Sequence, residues 1–204
     1  MPNLGTKMLD DTRIDRWFPK LVYVAENVLT EKHLQHIEHS CKKVLETHGS
    51  HGDGYHGIQS THSTYDQLNL LDDFTQFNDV VLSYVKDFMG EMHYLPYVID
   101  RMAILNMWTN ISNEGDYIFP HQHPNSLISG AFYVNAPKGA KISFYDDFKN
   151  FYLPQERNEL TYTVAEYDCV PNNLLLFRSD LIHGTTRQPV GEKLVVSFNT
   201  YMKE

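Results

Sequence analysis

The hydrophobic pattern changes near the middle of the chain, and this change limits the possible folds more than any other feature. Before about residue 97 the apolar residues recur with helical spacing; after it they form short stretches separated by turns containing Pro, Asn or Gly. Eight short strands in succession predict a β-sandwich or a β-barrel. The predicted strands are Val98–Thr109, Ile118–His123, Leu127–Asn135, Ala140–Tyr145, Thr161–Glu166, Asn173–Phe177, Ile182–Thr185 and Lys193–Tyr201.

The first half of the chain predicts two helices. One begins after Thr30, a good N-cap, and ends near Gly49. The other runs from about Asp73 to Met92, and the Gly- and His-rich segment 48–65 between them predicts a loop. We therefore expect one domain over residues 1–204, mainly β with N-terminal helices (α+β), in which 1–97 is largely helical and 98–204 forms the β core.

Composition excludes several classes of protein. The 204 residues are 42% hydrophobic, and the net charge of −9 with no basic run argues against nucleic-acid binding. No apolar stretch is long enough to span a membrane, and the N-terminus does not resemble a signal peptide. Cys41 and Cys169 lie far apart, which predicts free thiols in a reducing compartment. We expect a soluble, cytoplasmic protein.

Three of the 11 histidines form a pattern typical of a metal site. His121 and His123 are two positions apart, so in a strand both point to the same face. His183 stands at the start of a later predicted strand. Imidazoles in such a set suit iron, zinc or copper. The remaining histidines are interpreted as ordinary hydrogen-bonded residues: His33, His36, His39, His48, His51, His56, His62 and His93.

A lysine follows this histidine set at a suggestive distance. Lys193 opens the last predicted strand, ten positions after His183. Its ammonium could neutralise the far carboxylate of a dicarboxylic cosubstrate whose near end chelates the metal. Taken alone, Lys193 would be a solvated residue after the turn at Gly191 and Glu192.

Two stretches carry a resemblance to a known superfamily. HQHPNSLISGAFYVNAPKG (121–139) and NNLLLFRSDLIHGTTRQPVGEKLVVSFN (172–199) resemble the 2-oxoglutarate/Fe(II)-dependent oxygenases. They are most similar to a group from bacterial and phage genomes with the pattern HxHPxxxxSGxxYV. Trp17-Phe18-Pro19 and TYDQLNLLDD (64–73) also resemble that group. The resemblance implies a double-stranded β-helix, a jelly-roll or cupin-like barrel packed against helices.

The superfamily binds iron through an HxD pair and a distal histidine. By position, His121 is the first ligand and His183 the third, while the carboxylate position falls on His123. Either the site has three histidines, or Asp146 or Asp147 supplies the carboxylate. The same-face spacing of HxH favours His123.

The resemblance also implies a cosubstrate site. Superfamily members commonly hold 2-oxoglutarate with an arginine, and prolyl-hydroxylase-like members can use a lysine at the position of Lys193; Arg187 is the alternative. Further candidate contacts are Tyr133, Asn106, Ser197 and Asn199, with Trp108 beside them.

The implied reaction is oxidation of an unknown small molecule or peptide by Fe(II), 2-oxoglutarate and O₂, with release of succinate and CO₂. Hydroxylation is the expected outcome, centred on iron without a separate protein acid or base, and the lysine favours a peptidyl or prolyl-type substrate. Segments 48–65 and 148–157 are long enough to shape a substrate entrance. The rivals are a cupin-like three-histidine metalloenzyme without 2-oxoglutarate, and a non-catalytic barrel that serves as an interaction module.

Overall fold

The computed structural model describes residues 19–52, 54–146 and 162–204. The helices are α1 (Glu31–His48), α2 (Thr75–Glu91) and α3 (Pro96–Asp100), with 3₁₀ turns at Leu68–Leu70 and Asp72–Phe74. The strands are β1 (Val22–Ala25), β2 (Tyr55–His56), β3 (Gln59–Ser60), β4 (Met102–Ser112), β5 (Tyr117–Ile118), β6 (Ile128–Asn135), β7 (Lys141–Tyr145), β8 (Val164–Asp168), β9 (Leu174–Arg178), β10 (His183–Thr185) and β11 (Lys193–Met202).

Two antiparallel sheets form the barrel. The larger has the order β1-β9-β6-β11-β4-β3 and the smaller the order β10-β7-β8, while β2 and β5 form a separate ribbon. Side chains from β6, β7, β9 and β11 make an apolar core between the two sheets. The outer face of the larger sheet packs against α1 and α2. The predicted double-stranded β-helix packed against helices is confirmed.

Local sequence explains the helix boundaries. The Thr30 hydroxyl accepts a hydrogen bond from the amide of His33, and Gly49 ends α1 where it was predicted to end. The second helix begins at Thr75 rather than Asp73, because Asp72–Phe74 forms a 3₁₀ turn first. Among the described residues, none of the helices has the length and apolar character needed to cross a bilayer.

The strands differ from the prediction in several places, of which the following affect the fold most. β4 begins at Met102 rather than Val98, because Pro96 starts the short helix α3. Regular pairing in the strand predicted over Ile118–His123 stops at Ile118, and beyond it only His121 forms a bridge. Segment 48–65 contains β2 and β3, and the unpredicted β1 pairs with β9.

The structure leaves two kinds of prediction untested: those on segments that it does not describe, and the prediction of a single domain. Trp17, Phe18 and the 148–157 insertion lie outside the described residues. The single domain over 1–204 stays a prediction; β1 and β3, both before residue 97, pair with barrel strands of the second half.

The SG of the first motif and the SFN of the second meet in the larger sheet. Gly130 and Phe198 are partners across β6 and β11. A Cβ at Gly130 would lie 2.2 Å from the Phe198 ring, so only glycine fits. The two motifs therefore pack directly against each other in the folded chain.

Candidate metal centre

The backbone brings the three predicted histidines together at one end of the barrel. His121 and His183 exchange two backbone hydrogen bonds, each 2.9 Å long. The amide of His123 donates to the carbonyl of Ser179 at 2.9 Å. Main-chain hydrogen bonds therefore fix all three residues.

The imidazole Nε2 atoms converge on one point. His123 Nε2 lies 3.2 Å from Nε2 of His121 and 3.2 Å from Nε2 of His183. The ligand atoms of the three residues all lie within 4.8 Å of one another. Nitrogens about 2.1 Å from one metal ion, at right angles, would be about 3.0 Å apart. The residues therefore fit a metal ion held on one face by three imidazoles.

Two of the rings are held in the tautomer that a metal ligand needs. Nδ1 of His121 lies 2.8 Å from the carbonyl oxygen of Phe119, and Nδ1 of His183 lies 2.9 Å from that of Leu181. Because a carbonyl can only accept, each Nδ1 must carry the hydrogen. The lone pair is then on Nε2, which faces the other two rings.

Burial keeps the rings neutral. It lowers the pKa of His183 to about 3 and of His123 to about 4, with a further lowering in each case from nearby His121. Burial also lowers the pKa of His121 itself. Neutral imidazoles are the form that binds metal.

Asp146 and Asp147 were the predicted alternatives to His123 as second metal ligand, and neither belongs to the described group of ligand atoms. The carboxylate of Asp146 is 3.1 Å from Nζ of Lys20, and in the described part of the chain the candidate ligand group contains only the three histidines. Asp147 lies outside the described residues. The geometry favours His123 as second ligand, and the ligand assignment stays a prediction.

A cavity runs between the sheets from the histidines to Lys193. Lys193 is 3% exposed, and its ammonium has neither a hydrogen bond nor an ion pair among the described residues. Burial lowers the pKa of its ammonium, against smaller opposing effects of Cys169 and Asp116. A buried cation without a partner is unfavourable until an anion reaches it. The cavity thus has metal ligands at one end and a cation further along.

The other predicted cosubstrate contacts divide into two groups. Tyr133 and Ser197 line the cavity together with Trp108. Asn106 and Asn199 do not line it, and their amides bind each other at 3.0 Å.

The alternative cation, Arg187, lies outside the cavity. Its guanidinium sits over the ring of Tyr117, 4.9 Å from the ring centroid. That ring belongs to the β2–β5 ribbon. The arrangement favours Lys193 as the cation of the cavity.

Several polar residues of the cavity were not predicted as site residues, among them Asn110, Ser112 and Tyr55. Asn110 is 4% exposed; its Nδ2 donates to Oγ of Ser197 at 3.3 Å, and its Oδ1 has no partner. Ser112 and Tyr55 also line the cavity. Alternation from Trp108 would have reached Asn110 and Ser112, but the predicted strand ended at Thr109.

The barrel holds three convergent histidines at one end of a cavity and a buried lysine further along it. Residues 106–199 match the family described as "Putative 2OG-Fe(II) oxygenase". The resemblance of the chain to the 2-oxoglutarate/Fe(II)-dependent oxygenase superfamily is confirmed. No curated protein sequence matches the chain significantly.

Solved structures share the fold at low identity. HygX from Streptomyces hygroscopicus, with nickel, 2-oxoglutarate and hygromycin B bound, is 16% identical, has a TM-score of 0.61, and matches over 90% of this chain and 84% of its own. A Pseudomonas putida prolyl-4-hydroxylase is 10% identical, with a TM-score of 0.63 over 91% and 94%. The viral collagen prolyl hydroxylase of Paramecium Bursaria Chlorella virus-1, a 2-oxoglutarate complex, is 13% identical, with a TM-score of 0.56 over 88% and 94%.

Proposed function

We propose that this protein is a Fe(II)- and 2-oxoglutarate-dependent dioxygenase that hydroxylates an organic substrate with release of succinate and CO₂. One observation carries the proposal: three convergent imidazole nitrogens and the unpaired ammonium of Lys193 line the same cavity. A metal site alone would not require a buried cation. A dicarboxylate that chelates the metal through one end requires a cation to bind its other carboxylate.

His121, His123 and His183 would hold the iron. Bound there, iron supplies O₂ activation coupled to decarboxylation of 2-oxoglutarate. The three imidazoles would hold the ion at the end of the cavity, and the cosubstrate and O₂ would reach it from the cavity. The protein keeps the rings neutral and holds two of them through carbonyl oxygens.

Lys193 would bind the far carboxylate of 2-oxoglutarate. Tyr133 lines the same cavity, and burial, with a smaller effect of Cys169, raises the pKa of its hydroxyl well above the usual value. The hydroxyl therefore stays protonated and can donate to a carboxylate. Asn110 and Ser197 offer further polar atoms along the path.

Apolar walls would keep water from the reaction. Ala131, Ile142, Phe177 and Val195 line the cavity between the polar groups. In such surroundings the attraction between Lys193 and a carboxylate is stronger than in water. The same walls orient a flexible dicarboxylate in one direction.

The substrate enters this proposal only as a class. The similar structures include one with hygromycin B bound and two prolyl hydroxylases, so the shared fold does not select between a small molecule and a peptide. The lysine in place of the usual arginine favours a peptidyl or prolyl-type substrate. Segment 48–65 contributes Tyr55 to the cavity wall, which supports its role at the substrate entrance.

A cupin-like enzyme that uses three histidines without 2-oxoglutarate is the second candidate. The all-imidazole ligand set favours it. The two functions differ in whether O₂ consumption depends on 2-oxoglutarate. Only the dioxygenase forms succinate when Fe(II) and 2-oxoglutarate are supplied. We expect slow succinate formation even without substrate, strongly reduced in Lys193→Met and unchanged in the surface variant Lys138→Met. O₂ consumption that is independent of 2-oxoglutarate would favour the cupin-like enzyme.

We further propose that the protein works in the cytoplasm. Its two cysteines, Cys41 and Cys169, are both buried free thiols. Free thiols and ferrous iron persist in reducing compartments. Fractionation of the producing cell tests this location.

A further inference from the structure

A row of three side chains on β4 runs along the cavity from the metal centre towards the cation. Residues two apart in a strand point to the same side, and these three line the cavity: Trp108, Asn110 and Ser112. The Trp108 ring stacks on that of His123, with 5.8 Å between the ring centroids. At the other end of the row, Ser112 is the partner of Lys193 in the pairing of β4 with β11. Asn110 therefore lies between the metal ligands and the cation.

Two polar atoms in this row are buried without a partner. Trp108 is 3% exposed and Asn110 is 4% exposed. Among the described residues, neither Nε1 of Trp108 nor Oδ1 of Asn110 has a hydrogen-bond partner. Buried polar atoms are nearly always paired, because an unpaired one destabilises the folded state. Since both residues line the cavity, a ligand inside it can supply the missing partners.

The amide of Asn110 has the wrong end free for an anionic ligand. Its Nδ2 donates to Oγ of Ser197 at 3.3 Å, which leaves the oxygen without a partner. A carboxylate has no hydrogen to give to that oxygen. The indole of Trp108 and the ammonium of Lys193, in contrast, can only donate, and each suits a carboxylate as it stands.

Half a turn of the Asn110 amide removes this conflict. The oxygen and nitrogen ends of an amide are nearly equal in size, so the turn requires no movement of the backbone. Oδ1 would then accept from the hydroxyl of Ser197, which can donate as well as accept. Nδ2 would be free to donate to a ligand. The hydrogen bond between Asn110 and Ser197 is kept in both arrangements, with its direction reversed.

We propose that binding of 2-oxoglutarate turns the Asn110 amide, so that Nδ2 of Asn110 and the indole N–H of Trp108 both donate to the bound cosubstrate. This inference rests on the proposed function and adds two binding groups to it, one of which reverses its hydrogen bond to Ser197. Trp108, Asn110 and Lys193 then all present donors to the ligand. A keto diacid, whose oxygens accept, matches such a row of donors.

The test is the affinity for 2-oxoglutarate of the Zn²⁺-loaded protein, measured by calorimetric titration. Asn110→Asp keeps the shape of the side chain, but the new carboxylate cannot donate and has the same sign of charge as the ligand. Loss of a hydrogen bond to a charged group lowers affinity about 10- to 100-fold, and we expect about 10-fold for Asn110→Ala. We expect more than about 100-fold for Asn110→Asp, because the carboxylate also repels the ligand. Asn27→Asp makes the same change of charge at an exposed position after β1 and is the matched control.

The order of the two variants separates ligand binding from a general effect on structure. Loss of packing alone would affect Asn110→Ala more than Asn110→Asp, which has the shape of the natural side chain. Zn²⁺ affinity, measured by competition with a chelator, should be equal in both variants and the wild type. Asn110→Asp that binds 2-oxoglutarate as tightly as Asn110→Ala or the wild type would overturn the inference. Equal losses of Zn²⁺ and 2-oxoglutarate affinity would also overturn it.

A measurement with Asn110 intact keeps the proposal testable if its variants do not fold. The chain has two tryptophans, Trp17 and Trp108, so Trp17→Phe leaves a single indole N–H resonance. In the Zn²⁺-loaded protein, 2-oxoglutarate should move this proton downfield, as a new hydrogen bond does. Binding of 2-oxoglutarate without this shift would overturn the inference and leave the proposed function intact. A wild type that binds Zn²⁺ but not 2-oxoglutarate would overturn both.

Discussion

His121 and His183 are joined through their backbones: the amide of each donates to the carbonyl of the other at 2.9 Å. The bridge links two segments that lie far apart in sequence, and it does not depend on either side chain. The spacing of the two imidazoles is therefore set before any metal binds. Such preorganisation reduces the entropy lost on binding.

Removing one imidazole should abolish metal binding and leave the barrel folded. We expect His183→Ala or His121→Ala to lower Fe(II) or Zn²⁺ affinity more than about 100-fold, beyond the loss of an outer-shell partner. The backbone bridge remains in both variants, so circular dichroism should be unchanged. His39→Ala, at an exposed position on α1, is the control. Unchanged metal affinity in both variants would rule out this site.

Lys193→Met should have opposite effects on cosubstrate binding and on stability. A hydrogen bond to a charged group contributes about 1.5–3 kcal/mol, so 2-oxoglutarate affinity should fall about 10- to 100-fold. The buried ammonium lacks an ion-pair partner among the described residues, so its removal should raise the free energy of unfolding of the metal-free protein by about 1–4 kcal/mol. Calorimetric titration and urea unfolding measure the two effects.

Arg187→Met serves as the comparison for this prediction. Its guanidinium lies over Tyr117 and outside the cavity. We expect 2-oxoglutarate affinity to be unchanged. A large loss in Arg187→Met together with none in Lys193→Met would assign the cosubstrate carboxylate to the arginine instead.

The metal-free protein should lose stability as the pH falls below neutrality. Burial lowers the pKa of His183 to about 3 and of His123 to about 4, whereas both rings titrate near 6.5 in the unfolded chain. Below pH 6.5 the unfolded state binds protons that the folded state does not, so the free energy of unfolding falls as pH drops from 6.5 towards 4. Urea unfolding at pH 7.5 and 5.0 measures the change. The change in the free energy of unfolding should be smaller in His183→Ala. An equal change in that variant would show that His183 does not cause the pH dependence.

Gly130→Ala should destabilise the larger sheet. The added Cβ would lie 2.2 Å from the Phe198 ring, and overpacking of this kind costs about 1–3 kcal/mol. Gly90→Ala is the matched control, because a Cβ there meets nothing within 4 Å and the residue lies inside α2. Alanine should stabilise that position by about 0.5–1 kcal/mol. Thermal unfolding that ranks the two variants the other way would contradict the packing described here.

The sequence alone predicted the elements with a local cause. The helix between Thr30 and Gly49 has both of its caps in the sequence, and HxH spacing placed two imidazoles on one face. β1 was missed because its four residues, VYVA, become a strand only by pairing with β9. Residues that depend on local alternation, such as Asn110, could have been found with a longer predicted strand.

The hydrogen bonds that join Asp66, Asn106 and Asn199 had no local signal in the sequence. Asp66 and Asn106 are 40 positions apart, and Asn106 and Asn199 are 93 positions apart. Only the register of β4 with β11, which pairs Asn106 with Asn199, brings these amides together. The sequence predicted Asn106 and Asn199 as candidate cosubstrate contacts, with no signal that their amides bind each other.

The most direct test of the central claim is anaerobic addition of Fe(II) and 2-oxoglutarate to the metal-free protein, followed by visible absorption. A keto acid that chelates iron gives a weak charge-transfer band, and the test requires no knowledge of the substrate. We predict the band in the wild type, its loss in His183→Ala, and a higher 2-oxoglutarate requirement in Lys193→Met. Iron binding without the band would contradict the role of 2-oxoglutarate and favour the cupin-like enzyme. Failure of iron to bind would contradict the metal centre itself.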